Sequence, residues 1–172
     1  MCSRAAVLLR LGLLVLALAA DQALQAQQAH PLVGQAAPDF ALHAVLGSTV
    51  RLSEHRGEVV VLSFWSSRCY PCRAQLAALN GSFSTYRSAG LAIYGIGVDD
   101  DQVKSLDFAH STTVGFPLLL DPTKQVSRSY QVDNLPMTVL IDRNGTVRHV
   151  VRDYGAASAA LYLQQLRTLL NE

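Results

Sequence analysis

The chain is expected to fold as an α/β sandwich, a central sheet covered by helices on both faces. Three observations predict it. Strand-like and helix-like segments alternate along the sequence, two of the strand-like segments are unbroken apolar runs, and the last segment carries an apolar stripe at helical spacing. Residues 37–52 alternate polar and apolar side chains around Gly47-Ser48, which predicts a β-hairpin laid before the main sheet. Residues 58–65 (EVVVLSFW) read as a strand buried on both faces, and they deliver the chain to Cys69. Beyond Pro71, Leu76, Leu79, Phe83 and Tyr86 recur at helical spacing, and Gly90 supplies the stop. Cys69 and Cys72 therefore fall at a strand-to-helix junction. Residues 91–98 (LAIYGIGV) predict a second buried strand, and Asp99, Asp100 and Asp101 form a solvated cap for a helix running to about Ala109. Residues 116–120, 126–130 and 137–142 follow as strand, helix and strand. Asn144-Gly145 then turns the chain into a strand over 146–152. Ala159, Leu163, Leu166 and Leu170 give the C-terminal helix its apolar stripe.

Composition narrows the function. Of 172 residues half are apolar and 16% charged, enough for a core and too apolar for intrinsic disorder. Fourteen Lys and Arg against thirteen Asp and Glu leave a formal charge of +1 with no basic run, which excludes a phosphate-backbone binder. No period of about 20 to 50 residues repeats, which excludes a solenoid. Arg4 and Arg10 flank an acid-free start, and residues 11–20 (LGLLVLALAA) are uniformly apolar. A spanning helix needs about twenty such residues, so residues 1–29 read as a secretory signal peptide, cleaved between Ala19 and Ala29, ahead of a domain over 30–172. The alternative is an uncleaved anchor; either way the domain is exported. Cys2 lies in the leader, so Cys69 and Cys72 are the thiols left to the domain, which excludes a scaffold stapled by several disulfides.

Two cysteines separated by two residues at a helix start have a chemical logic. The helix dipole and the unpaired amides of the first turn favour an anion there, so Cys69 is the expected nucleophile, held as thiolate near neutral pH. Pro71 fits the first helical turn, where its missing N–H has no partner, and keeps Cys72 beside Cys69 as the resolving thiol. Cys69 attacks a substrate disulfide, and Cys72 breaks the resulting mixed disulfide by intramolecular attack. The same cycle in reverse is an oxidase. Competing uses of the pair fit less well. A purely structural disulfide of this spacing closes a tiny loop and constrains little unfolded-chain entropy. A zinc site needs four ligands, and His30, His43, His55, His110 and His149 lack ligand spacing, so no metal is expected.

Five segments carry a family resemblance. Gln35-Ala36-Ala37-Pro38-Asp39-Phe40, Leu52-Ser53 with Arg56-Gly57, Phe64-Trp65 with Cys69-Tyr70-Pro71-Cys72-Arg73, Leu135-Pro136-Met137-Thr138, and Leu140-Ile141-Asp142 with Asn144-Gly145 occur in order. From about residue 34 to 170 the chain resembles the TlpA/ResA branch of the thioredoxin superfamily, related to the AhpC/TSA redoxins. The resemblance implies a thioredoxin fold, a central mixed sheet flanked by helices with an added N-terminal β-hairpin. It implies an exported, periplasmic thiol-disulfide oxidoreductase that works as a monomer on protein thiols and disulfides. No cofactor is needed beyond the Cys69–Cys72 pair. Members often serve as reductants in cytochrome c maturation, with a membrane thiol relay of the DsbD kind as electron donor. The resemblance makes Pro136 a cis-proline facing the cysteines, with Leu135 offering backbone to a bound peptide, and packs Trp65 beside the thiols.

The departures from the family pattern matter. Reductases of this kind frequently carry a glutamate three residues beyond the second cysteine, and here that residue is Gln75. Thioredoxin buries an acid six residues before the first cysteine, and here that residue is Ser63. With neither carboxylate present, water or the Cys69 thiolate is left to take the Cys72 proton. Arg68 and Arg73 flank the pair and are expected to favour anionic sulfur, making the couple less reducing than thioredoxin's roughly −270 mV. Two rival functions are weighed. A peroxiredoxin needs a proline and a threonine ahead of its attacking cysteine, where this chain has Leu62 and Ser66. A Sco-like copper chaperone separates its cysteines by three residues, and this chain by two.

Overall fold

The alternating segment near the N-terminus forms two short strands, β1 (Ala41–His43) and β2 (Thr49–Arg51), paired antiparallel with Leu42 opposite Val50. They open the compact unit Leu32–Glu172 of the computed structural model, which describes residues 30–172. The leader assigned to residues 1–29 lies outside the described residues. The hairpin is shorter than the alternation suggests, because Ala44 bridges to Leu119 and the Val45 N–H donates to the Leu118 carbonyl at 2.8 Å, drawing its far end onto the main sheet.

That sheet is built from β3 (Val59–Trp65), β4 (Leu91–Gly97), β5 (Leu118–Leu120), β6 (Met137–Ile141) and β7 (Val147–Val151), in the order β5-β4-β3-β6-β7. β3 pairs parallel with β4 and antiparallel with β6, so the sheet is mixed. Every residue of β3 and β4 is buried, which is why both segments are apolar without alternation. Val60, Leu62 and Phe64 join Phe40, Tyr130 and Met137 on one face, and Val59, Val61 and Trp65 join Leu76, Leu79 and Leu166 on the other.

The helices cover these faces. Leu76 and Leu79 of α1 (Tyr70–Tyr86) and Phe108 and Ala109 of α2 (Gln102–His110) pack on the Trp65 face. Val126 of α3 (Gln125–Ser129) packs on the opposite face. After α1 a 3-10 turn (Arg87–Ala89) runs into Gly90, whose φ of 87° is the left-handed stop the sequence signalled. α4 (Ala156–Asn171) departs from the predicted stripe: its buried residues are Tyr162, Leu166 and Leu169, with Leu163 and Leu170 partly buried beside them. Both sets obey helical spacing. The body of Tyr162 is buried in the same apolar cluster as Leu166 and Leu169, so the buried stripe is turned by a fraction of a helical turn. Among the described residues no helix is long and apolar enough to cross a membrane.

Glycines in β4 shape the site from below. A Cβ built on Gly95 falls 2.5 Å from Leu118 Cδ2 and 3.2 Å from Trp65 Nε1, and one on Gly97 falls 2.8 Å from Trp65 Cζ2. The two positions thus form a slot for the Trp65 indole, which is fully buried.

Candidate active site

β3 hands the chain over at Trp65, whose carbonyl accepts the Val98 N–H at 2.9 Å. A turn follows, closed by the Cys69 N–H on the Ser66 carbonyl at 3.1 Å. Cys69 is the N-cap of α1, with extended backbone, and Pro71 occupies the first helical turn. The Cys72 N–H donates to the Cys69 carbonyl at 3.1 Å, and the two side chains form a disulfide with Cα atoms 5.4 Å apart. The two sulfurs have unequal access. Cys72 is fully buried, whereas Cys69 is half-buried and lines an open cleft of about 530 Å³ with Ser66, Arg68, Val98 and Leu135. An incoming disulfide therefore meets Cys69 first.

The remaining predicted residues fall around this cleft in different ways. The Leu135–Pro136 peptide is cis, Pro136 is buried, and Leu135 shares the cleft wall with Cys69. Tyr70, between the cysteines, is 96% exposed. Arg68 is exposed at the rim. Trp65 is fully buried, stacked on Phe108 with ring centroids 4.6 Å apart and planes at 21°, in the same apolar cluster as Cys72.

Arg73 corrects an expectation. Its guanidinium, expected to favour anionic sulfur, is engaged by α2 instead: it lies 4.4 Å from the Phe108 ring centroid and donates to the Ser111 carbonyl, Ser111 Oγ and Thr112 Oγ1. Helix α2 ends there and presents acceptors that attract a cation. Arg73 thus ties α1 to α2.

The two positions where carboxylates are replaced turn out to be partners. The Ser63 hydroxyl donates to Gln75 Oε1 at 3.0 Å, and Gln75 Nε2 donates to Thr138 Oγ1 at 2.7 Å. All three are buried, Gln75 at 4% exposure, and Gln75 sits three residues along α1 from Cys72, on the same helix face. This neutral chain satisfies its own buried donors and acceptors and offers no carboxylate to the resolving thiol. Gln75→Leu is expected to strand two buried hydroxyls and lower stability by about 2 kcal/mol in urea unfolding, with Gln75→Glu the comparison that adds a buried acid.

Two further residues, Thr138 and Asp99, belong to the site. Thr138 belongs to a motif segment, yet its bond to Gln75 spans 63 positions and leaves no local signal. The three aspartates expected to cap α2 take different roles. Asp101 is the cap, accepting the Lys104 and Val103 N–H groups of α2, and the Lys104 N–H together with the Lys104 ammonium at 3.3 Å holds its carboxyl below the usual aspartate range. Asp99 instead turns to the cysteine loop, accepting from Ser67.

Comparisons with known proteins agree with this geometry. The profile of the AhpC/TSA family matches residues 33–150. The thiol-disulfide oxidoreductase ResA of Geobacillus kaustophilus is 36% identical over 119 residues, 69% of this chain and 68% of that protein. ResA of Bacillus subtilis is 34% identical over 118 residues, covering 69% and 66%. A provisionally assigned thiol:disulfide interchange protein DsbE from Chlorobium tepidum superposes with a TM-score of 0.76 at 33% identity, over 80% of this chain and 97% of that one.

Proposed function

The chain belongs to the AhpC/TSA family and is a ResA-like thiol-disulfide oxidoreductase of thioredoxin fold, and from that premise we propose that it is an exported reductant of protein disulfides. Its setting is cytochrome c maturation or a similar periplasmic relay. The observation that carries this reading is the unequal exposure of the paired sulfurs, Cys69 open to a cleft and Cys72 sealed beneath it.

The chemistry follows from that asymmetry. In the reduced protein the Cys69 thiolate attacks one sulfur of a substrate disulfide, forming a mixed disulfide and releasing the other substrate sulfur as a thiolate. Cys72, three residues away and held by the first turn of α1, then attacks the Cys69 sulfur. The bond to substrate breaks, the second substrate sulfur leaves as thiolate and takes a proton, and Cys69–Cys72 carries the two-electron oxidation. Gln75 accepts no proton, so water takes the one Cys72 gives up. Arg68 and the start of α1 stabilise the sulfur anion at Cys69. A membrane dithiol relay of the DsbD kind resets the pair by the same exchange in reverse.

Replacing Cys72 with serine removes the second step and leaves the first. Cys72→Ser is expected to accumulate mixed disulfides between Cys69 and its substrates, visible as adducts that collapse under dithiothreitol on non-reducing gels. Mass spectrometry of those adducts identifies the partners. A variant that forms no adduct with any exported protein while still reacting with a small disulfide overturns the assignment of protein substrates.

A further inference from the structure

The turn that delivers the nucleophile has an anchor outside the cysteine motif. Ser66 to Cys69 is closed by a single backbone bond, and its second residue, Ser67, gives both of its donors to one carboxylate. The Ser67 N–H lies 2.8 Å from Asp99 Oδ2 and 3.0 Å from Oδ1, and the Ser67 hydroxyl donates to Oδ1 at 2.8 Å. Asp99 Oδ2 also accepts the hydroxyl of Ser105 at 2.9 Å, and Ser105 is buried in α2 at 2% exposure. Bonds to an ionised acceptor are shorter and about twice as strong as neutral ones. Asp99 is separated from Ser67 by 32 positions and lies two residues beyond β4, so it joins the cysteine loop, the end of the sheet and α2 at one point.

The same helix is fastened to the cysteine helix a second time. Arg73, next to Cys72, holds the far end of α2 through Ser111 and Thr112, and Phe108 of α2 stacks on Trp65 in the apolar cluster that includes Cys72. α2 thus braces the thiol site through Asp99 near its start and through Arg73 at its end. Its own start is capped separately by Asp101, so the Asp99 bonds are not needed to form the helix.

We propose that Asp99 is a positioning residue for disulfide exchange. By holding Ser67 it fixes the Ser66–Cys69 turn, keeps the Cys69 sulfur at the first turn of α1 and in line with Cys72, and passes the position of α2 to the nucleophile. This rests on the oxidoreductase reading above and extends it to a residue that touches neither sulfur nor substrate. Small displacements of a reacting atom carry large kinetic penalties, which is the leverage Asp99 exerts.

The test uses the reduced full chain and 5,5′-dithiobis(2-nitrobenzoate) as the disulfide, with exchange rates followed across pH to reach the plateau where Cys69 is fully thiolate. Redox potentials in glutathione buffers are measured alongside. Asp99→Ala is expected to lower the plateau rate about tenfold and to move the potential, whereas Asp99→Asn, which keeps one acceptor for the Ser67 N–H, stays within about threefold of the parent. Asp101→Ala, which uncaps α2 alone, is expected to lower the melting temperature without changing the plateau. Ser67→Ala keeps the amide bond but loses the hydroxyl bond, and is expected to fall between Asp99→Ala and the parent; it carries the test should Asp99→Ala fail to fold. Asp99→Ala, or in its place Ser67→Ala, matching the parent in both plateau rate and potential overturns the proposal, whatever happens to the melting temperature. A parent protein that itself shows no exchange overturns the oxidoreductase reading instead, so the two failures are distinct.

Discussion

Cys69→Ser is expected to abolish turnover of protein disulfides, with a loss of about 10³-fold or more in insulin reduction coupled to dithiothreitol. The reason is chemical rather than structural. A serine hydroxyl at the N-cap of α1 keeps the shape of the loop, and serine is a preferred N-cap residue, so the fold tolerates it. Exchange, however, needs a sulfur that is both a good nucleophile as a thiolate and a good leaving group when Cys72 attacks it. Oxygen supplies neither. Cys72 does not substitute, because it is sealed beneath the helix turn while Cys69 opens on the cleft. Cys69→Ser that retains more than a tenth of the parent rate places the entry point of electrons elsewhere.

The largest effect on stability is expected at Gly97. At most buried strand positions valine is a favourable residue, since its branched side chain packs well on a pleated surface. At Gly97 the sign reverses, because even a single carbon there lies 2.8 and 2.9 Å from two atoms of the Trp65 ring and 3.1 Å from Leu120 Cδ2. The indole cannot swing aside: it is fully buried and stacked on Phe108. Gly97→Val is expected to destabilise the protein by about 3 kcal/mol in urea unfolding, at the upper end for overpacking. Gly97→Val combined with Trp65→Leu, which empties the slot, is expected to recover part of that loss. Unchanged stability in the single variant shows that the slot is not rigid.

These effects mark what was and was not legible in the residues themselves. The order of strands and helices follows from local pattern, because β3 and β4 are buried on both faces and α1 begins at a cysteine followed by Pro71 and ends at Gly90. The junction of β3 and α1 could be placed from those signals alone, and with it the thiol pair. The missed features share one physical origin, since they are contacts between residues far apart in the chain. Arg73 reaches Ser111 across 38 positions, Ser67 reaches Asp99 across 32, and Gln75 reaches Thr138 across 63. No helical or strand period encodes a hydrogen bond of that span. The Trp65 slot did leave a trace, two isolated glycines inside an apolar run, whose ordinary meaning is the close approach of another group. The buried stripe of α4 shows the limit of periodicity from another side, since Tyr162 and Leu163 both fit a helical repeat and only packing chooses between them.

The sequence contains one tryptophan, and it is the residue held in that slot, in the same apolar cluster as Cys72. Its emission therefore comes from a single place, the apolar cluster that also holds the redox pair, uncontaminated by any second indole. The protein carries an intrinsic optical gauge of the packing behind its thiols, readable without labels during reduction, partner docking or unfolding.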